Sequence, residues 1–187
     1  VVAVNLKESG IPFALAGGYA VWARGGPEPD HDVDFVVPQD DAAKAFDLLA
    51  ERGLNVVHPP EDWLFKVYVD ECMVDVLFQT SGVSVTRETL ADVEEIEVES
   101  IAMPVLSATE LMGQRLNALE EQTLEDFEIV VAHDSSGPET EELLRTHPLA
   151  GDGRLRHLTF QPGPGPAEKR NAAWMAARAP LIAFTDD

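Results

Sequence analysis

The stretch Ala16-Gly-Gly-Tyr-Ala-Val-Trp22, followed after a Gly/Pro-rich spacer by His31-Asp-Val-Asp-Phe-Val-Val37, decides how the first part of this chain is read. Alternate side chains of a strand share a face, so Asp32 and Asp34 point one way while Val33 and Phe35 point the other. Two carboxylates held that close repel each other unless a cation lies between them. Hard divalent ions such as Mg2+ take oxygen ligands of this kind. Asp75 supplies a third carboxylate. It interrupts the apolar run Cys72-Met-Val-Asp-Val-Leu-Phe78, where a buried, unpaired charge would cost on the order of several kcal/mol. Gly17-Gly18 lies between a short apolar run and a helical segment. A glycine pair there permits close backbone approach, and a helix N-terminus is a natural phosphate site.

Outward from this core, residues 1–9 read as a helix ending near Gly10, and Ile11 to Ala16 as a short apolar run. Tyr19 to Arg24 reads as helical. Asp40 or Asp41 is placed to cap a helix carrying Ala42, Ala45, Phe46 and Leu49 at helical spacing, with Gly53 as its stop. Phe65 to Val69 and Cys72 to Phe78 read as strands joined by a hairpin at Asp70-Glu71. Ile96 to Leu106 reads as extended. Ser107 and Glu110 form a capping box for a helix bearing Leu111, Met112, Leu116 and Leu119.

Beyond Thr123 the rhythm changes. Strands are expected at Phe127 to Ala132, Leu155 to Phe160 and Leu181 to Phe184, with helices at Pro138 to Thr146 and Ala167 to Ala177. Strand and helix in alternation point to a parallel α/β sheet. The expected fold class is therefore α/β throughout: an α+β domain over residues 1–115, then a partial parallel α/β segment over 116–187. Their junction falls somewhere in 100–122.

The charge balance limits the partners. The chain carries 34 acidic and 13 basic residues, a formal net of -21, and such a surface repels phosphate backbones. No nucleic-acid partner is expected, although a nucleotide can still bind locally through divalent metal and backbone N–H groups. Apolar runs are too short to span a bilayer and no basic-then-apolar leader opens the chain, so a cytoplasmic location is expected. The lone Cys72 reads as a small core residue, and Trp22, Trp63 and Trp174 as packing residues. The chain opens Val-Val and stops at Asp187 directly after a strand-like run, which points to a fragment or a truncation.

The ordered set Gly17-Gly18, Asp32-x-Asp34 and a later strand with Asp75 resembles the nucleotidyltransferase superfamily. The likeness spans about residues 5–120 and is nearest the small bacterial antibiotic-adenylyltransferase and toxin–antitoxin types. The resemblance implies that Asp32, Asp34 and Asp75 are catalytic and hold Mg2+ (or Mn2+), with Asp75 helping to activate an acceptor hydroxyl. Gly17 and Gly18 would meet the phosphates of an NTP. The acceptor would be a hydroxyl-bearing small molecule or protein. In many relatives an Arg and a Thr precede the Asp pair. Here that approach reads Gly26-Pro-Glu-Pro-Asp30-His31, and Arg24 is the nearest cation.

A different resemblance covers about residues 101–187. Gln122 to Ser136, Glu168-Lys-Arg-Asn-Ala-Ala173 and Leu181-Ile-Ala-Phe-Thr-Asp-Asp187 resemble, in order, three motifs from the N-terminal half of family 2-type glycosyltransferases. That implies a nucleotide-sugar partner, nucleotide contacts from Asp134 and Arg170, and a metal ligand at Asp187. His133 stands where an Asp is usual, and Ala173 where a Gly is usual. Three functional readings follow: a nucleotidyltransferase fused to an incomplete glycosyltransferase segment, a glycosyltransferase truncated after its metal motif, or a catalytically degenerate nucleotide- or partner-binding protein.

Overall fold

The computed structural model describes residues 1–29, 32–134, 137–163 and 165–184. The chain divides into two compact units, one spanning Val1–Gln114 and a second beginning at Arg115.

The first unit runs α1 (Val2–Ser9), β1 (Ala14–Ala16), α2 (Gly17–Ala23), β2 (Val33–Val36), a 3-10 turn at Gln39–Asp41, α3 (Ala42–Glu51) and β3 (Asn55–Val57). It continues with β4 (Leu64–Val69), β5 (Cys72–Leu77), β6 (Gln79–Thr80), β7 (Val83–Ser84), β8 (Glu94–Val98) and β9 (Ile101–Val105). A mixed sheet of seven strands has the order β3-β4-β5-β2-β1-β9-β8. Strands β1 and β2 pair antiparallel, whereas β2 and β5 pair parallel. One face of the sheet packs Leu15, Phe35, Phe65, Val67, Val74 and Val76 with Leu6 of α1 and Ala45 and Leu49 of α3. On the other face Ala14, Ala16 and Val36 meet Val85, Leu90 and Leu106.

Local chemistry explains several element ends. Gly10 adopts φ 71° and closes α1, the left-handed geometry that glycine takes without strain. The two-residue hairpin between β4 and β5 turns at Asp70, whose φ of 53° an Asp tolerates better than most residues. Ser107 Oγ accepts from the Glu110 N–H at 3.1 Å, capping α4 (Ala108–Glu120), within which the boundary between the units falls. Glu110 turns instead toward Gln114, which donates to it at 3.4 Å.

Several expectations need correction. The extended reading of 96–106 breaks into the β8–β9 hairpin, whose turn residues Glu99 and Ser100 both take positive φ, the geometry that suits a two-residue turn. Asp41 does not cap α3 with its side chain; its carboxylate pairs with Arg87 at 2.5 Å. Cys72 is exposed, because it opens β5 beside the hairpin turn, where the sheet no longer covers it. Trp63 and Trp174 are likewise exposed, whereas Trp22 is partly buried against the core.

The second unit contains β10 (Ile129–His133), α5 (Pro138–Thr146), a short α6 (Pro148–Gly151), β11 (Leu155–Thr159) and α7 (Pro166–Ala176). Strands β10 and β11 pair parallel in register, as the alternation of strand and helix requires. Residues 181–184 form no strand, contrary to expectation, and Leu181 and Phe184 face solvent. An apolar run becomes a strand only where a neighbour takes up its backbone hydrogen bonds. No helix among the described residues is long and apolar enough to cross a membrane.

Phe65 is 1% exposed and meets the Phe46 ring edge-on at 5.4 Å. Replacing it with Ala should destabilise the first unit by about 3–5 kcal/mol, read from the urea midpoint.

Candidate functional site

Register brings two of the three sequence-predicted carboxylates together. Asp34 on β2 pairs directly with Asp75 on β5, and Asp34 faces Ala16 on β1. Adjacent strands lie about 4.8 Å apart, so the two carboxylates share one sheet face as neighbours. This is the face opposite α1 and α3, because Phe35, Val74 and Val76 occupy the helix-covered side. Asp32, two residues before Asp34, lies exposed just ahead of the strand.

Gly17 adopts φ 56° at the start of α2, and a Cβ built on it would stand 2.0 Å from Asp34 Oδ2. The first of the two glycines is thus required twice over, by its backbone angle and by the carboxylate against it. A Cβ on Gly18 would come within 3.0 Å of Pro29 Cβ, so the second glycine lets the spacer approach the helix start. Gly17 therefore stands against a carboxylate, and Gly18 against the spacer.

Sequence reasoning missed Lys66. Its ammonium lies 2.8 and 2.9 Å from the two oxygens of Asp75, with both side chains largely shielded from solvent. Burial pulls the Lys66 pKa down, but the hydrogen bond and charge of Asp75, with smaller help from Tyr68 and Asp32, leave it raised overall. Lys66 therefore remains a cation among the acids. Two signals could have found it: Lys66 is the one charge in Leu64-Phe-Lys-Val-Tyr-Val69, and the hairpin turn sets it opposite Asp75. Arg24, the nearest cation before the Asp pair, is committed elsewhere. It donates to the carbonyls of Leu106 at 2.7 Å and Val105 at 3.3 Å, and pairs with Glu94.

Asp34 and Asp75 offer carboxylate oxygens on one face beside a tight glycine turn, ligands of the kind a hard divalent cation takes, whereas the ligand atoms of Asp32, Asp34 and Asp75 do not form a close group of three. His31 lies outside the described residues.

In the second unit Asp134 follows directly on β10 and pairs with Lys169 of α7 at 2.6 Å. That hydrogen bond holds the Asp134 carboxyl below the usual carboxylate range. Arg170, next on α7, lies over the Phe184 ring at 5.8 Å. Glu128 accepts from Arg156 at 2.6 Å and from the backbone N–H of Ala179 at 3.0 Å, tying the end of α7 to the β10 edge. Asp187, the expected metal ligand of this segment, lies outside the described residues.

Both parts of the chain are similar to transferases. The fold is shared with solved nucleotidyltransferases. One is ANT(2'')-Ia, solved in complex with adenylyl-2''-tobramycin: TM-score 0.51 at 16% identity, over 67% of this chain and 76% of that one. A Thermotoga maritima protein assigned to the nucleotidyltransferases gives TM-score 0.50 at 16% identity, over 64% of this chain and 81% of that one. Residues 100–187 match the family model described as glycosyl transferase family 2.

Among curated proteins, the validoxylamine A glucosyltransferase of Streptomyces hygroscopicus subsp. jinggangensis is 37% identical over 92 residues, 46% of this chain and 21% of that protein. The enzyme of the same name from subsp. limoneus is 36% identical over 92 residues, 46% of this chain and 19% of its own length. The chain thus spans about a fifth of the length of the curated relatives it matches.

Gly17→Ala should cost about 1–3 kcal/mol, because it forces a side chain into left-handed backbone and against Asp34. Gly18→Ala, which lacks the positive φ, should cost less; thermal unfolding of the two variants checks the order.

Proposed function

We propose that the first unit transfers a nucleoside monophosphate from an NTP to a hydroxyl acceptor, using Mg2+ (or Mn2+) held by Asp32, Asp34 and Asp75. The observation that carries this is the in-register pairing of Asp34 with Asp75 beside the left-handed turn at Gly17. When bound, the metal would neutralise phosphate charge and lower the pKa of an acceptor hydroxyl. The chain's own residues do the rest.

The backbone of Asp34 is held by strands on both sides, which fixes the face from which its carboxylate is presented. Gly17 and Gly18 open the N-terminal turn of α2, whose free N–H groups would receive a phosphate oxygen. Asp75, bridged by Lys66, is a carboxylate held in place, suited to orient the acceptor hydroxyl. The net charge of -21 disfavours a polynucleotide acceptor and supports a hydroxyl-bearing small molecule or protein.

A second reading rests on a separate observation, the Asp134–Lys169 pair at 2.6 Å in a segment matching glycosyl transferase family 2. There Asp134 would receive the base of a nucleotide-sugar, with Arg170 one residue beyond Lys169 near the phosphates.

Incubation with labelled NTP, Mg2+ and a panel of hydroxyl acceptors should yield labelled acceptor. Asp34→Asn should reduce labelling to background without unfolding the chain. Labelling that is absent throughout, or that persists in Asp34→Asn, would defeat the nucleotidyl-transfer reading. For the second unit, UDP and GDP binding followed by calorimetry should weaken in Asp134→Asn and stay unchanged in Asp34→Asn.

A further inference from the structure

The second unit carries a cluster that neither transferase reading uses. His133 ends β10, His157 and Thr159 alternate along β11, and Glu141 lies on α5. In the parallel register His133 is opposite Thr159 and Val131 is opposite His157, so both imidazoles rise from the same face of the two strands. Glu141 lies between them. One of its oxygens is 3.5 Å from His133 Nε2, and the other is 3.2 Å from His157 Nε2. Ligand atoms of all three residues lie within 4.8 Å of one another.

The burial of His133 sets this cluster apart from an ordinary surface ion pair. Its side chain is 6% exposed, and neither ring nitrogen has a hydrogen-bond partner among the described residues. Buried polar nitrogens are normally satisfied, so a ring left without a partner and aimed at a carboxylate needs an explanation.

We propose that His133, Glu141 and His157 form a Zn2+ site. Two imidazole nitrogens and one carboxylate oxygen are a borderline donor set, which selects Zn2+ over Mg2+. Zinc with bonds of about 2.0–2.1 Å in tetrahedral geometry places its ligand atoms roughly 3.3 Å apart. Each imidazole lies 3.2 or 3.5 Å from a different Glu141 oxygen, and one ligand atom from each residue lies within 4.8 Å of the other two, so a small side-chain adjustment would draw one oxygen and both nitrogens to that spacing. Thr159 Oγ1 donates to a Glu141 oxygen at 2.9 Å, the outer contact that orients a ligating carboxylate. Glu141 and His157 are partly exposed, which leaves a fourth coordination position facing solvent. The ion would tie α5 to both strands and fix the end of β10, from which Asp134 leaves.

The test titrates Zn2+ into chelator-treated full-length chain by calorimetry, with Co2+ substitution read from its visible absorption. The expected result is one high-affinity Zn2+ and a tetrahedral Co2+ spectrum, neither displaced by millimolar Mg2+. Glu141→Gln and His157→Asn, both at partly exposed positions, should each weaken Zn2+ binding by about tenfold or more while circular dichroism stays unchanged. Asp34→Asn should leave Zn2+ affinity as it is, which separates this site from the carboxylates of the first unit. The proposal is overturned if the folded chain takes up no Zn2+, if uptake is unaltered in both variants, or if Mg2+ competes on equal terms.

Discussion

Strand β2 is held on both sides, antiparallel to β1 and parallel to β5, and the register of those two pairings governs the first unit. A strand alternates its side chains, so a slip of one residue would turn Asp34 toward the helices and push Phe35 to the opposite face. That slip would bury a carboxylate among Leu15, Phe65 and Val76 and strip the core of an aromatic ring. The hydrophobic face therefore locates the acids. Phe35, Val74 and Val76 enforce the pairing of Asp34 with Asp75 by occupying the side that must stay dry.

The same logic extends to the neighbours. The two-residue turn at Asp70-Glu71 fixes which β4 residue stands opposite each β5 residue, and this puts Lys66 against Asp75. The β1–β2 pairing carries the chain straight from Ala16 into the left-handed turn at Gly17, pressed against Asp34. Cation, acids and glycine turn thus come from four consecutive strands of the sheet, β4, β5, β2 and β1, each positioned by backbone bonding.

Much of this was legible in the sequence because it depends on local rules. Asp32-Val-Asp-Phe shows its two faces by alternation, and Gly10, Ser107 and the 70–71 turn announce themselves by residue type. What escaped depends on distant partners. Lys66 looks like a solvated charge until the hairpin register is applied. His133, Glu141 and His157 are spread across three elements of the second unit, so no spacing along the chain groups them. Residues 181–184 have the composition of a strand, but composition does not supply the neighbour that a strand needs. The turn at Glu99-Ser100 was hidden for a different reason, since it lacks the glycine or asparagine that usually marks such a corner.

Lys66 also sets a charge balance. Asp32, Asp34 and Asp75 contribute three negative charges, and the ammonium bridged to Asp75 cancels one of them. The two acids that the register sets side by side are therefore not two bare charges, because the hairpin delivers the ammonium that neutralises one of them. Holding Asp34 against Asp75 thus costs the fold less in repulsion than two unscreened carboxylates would.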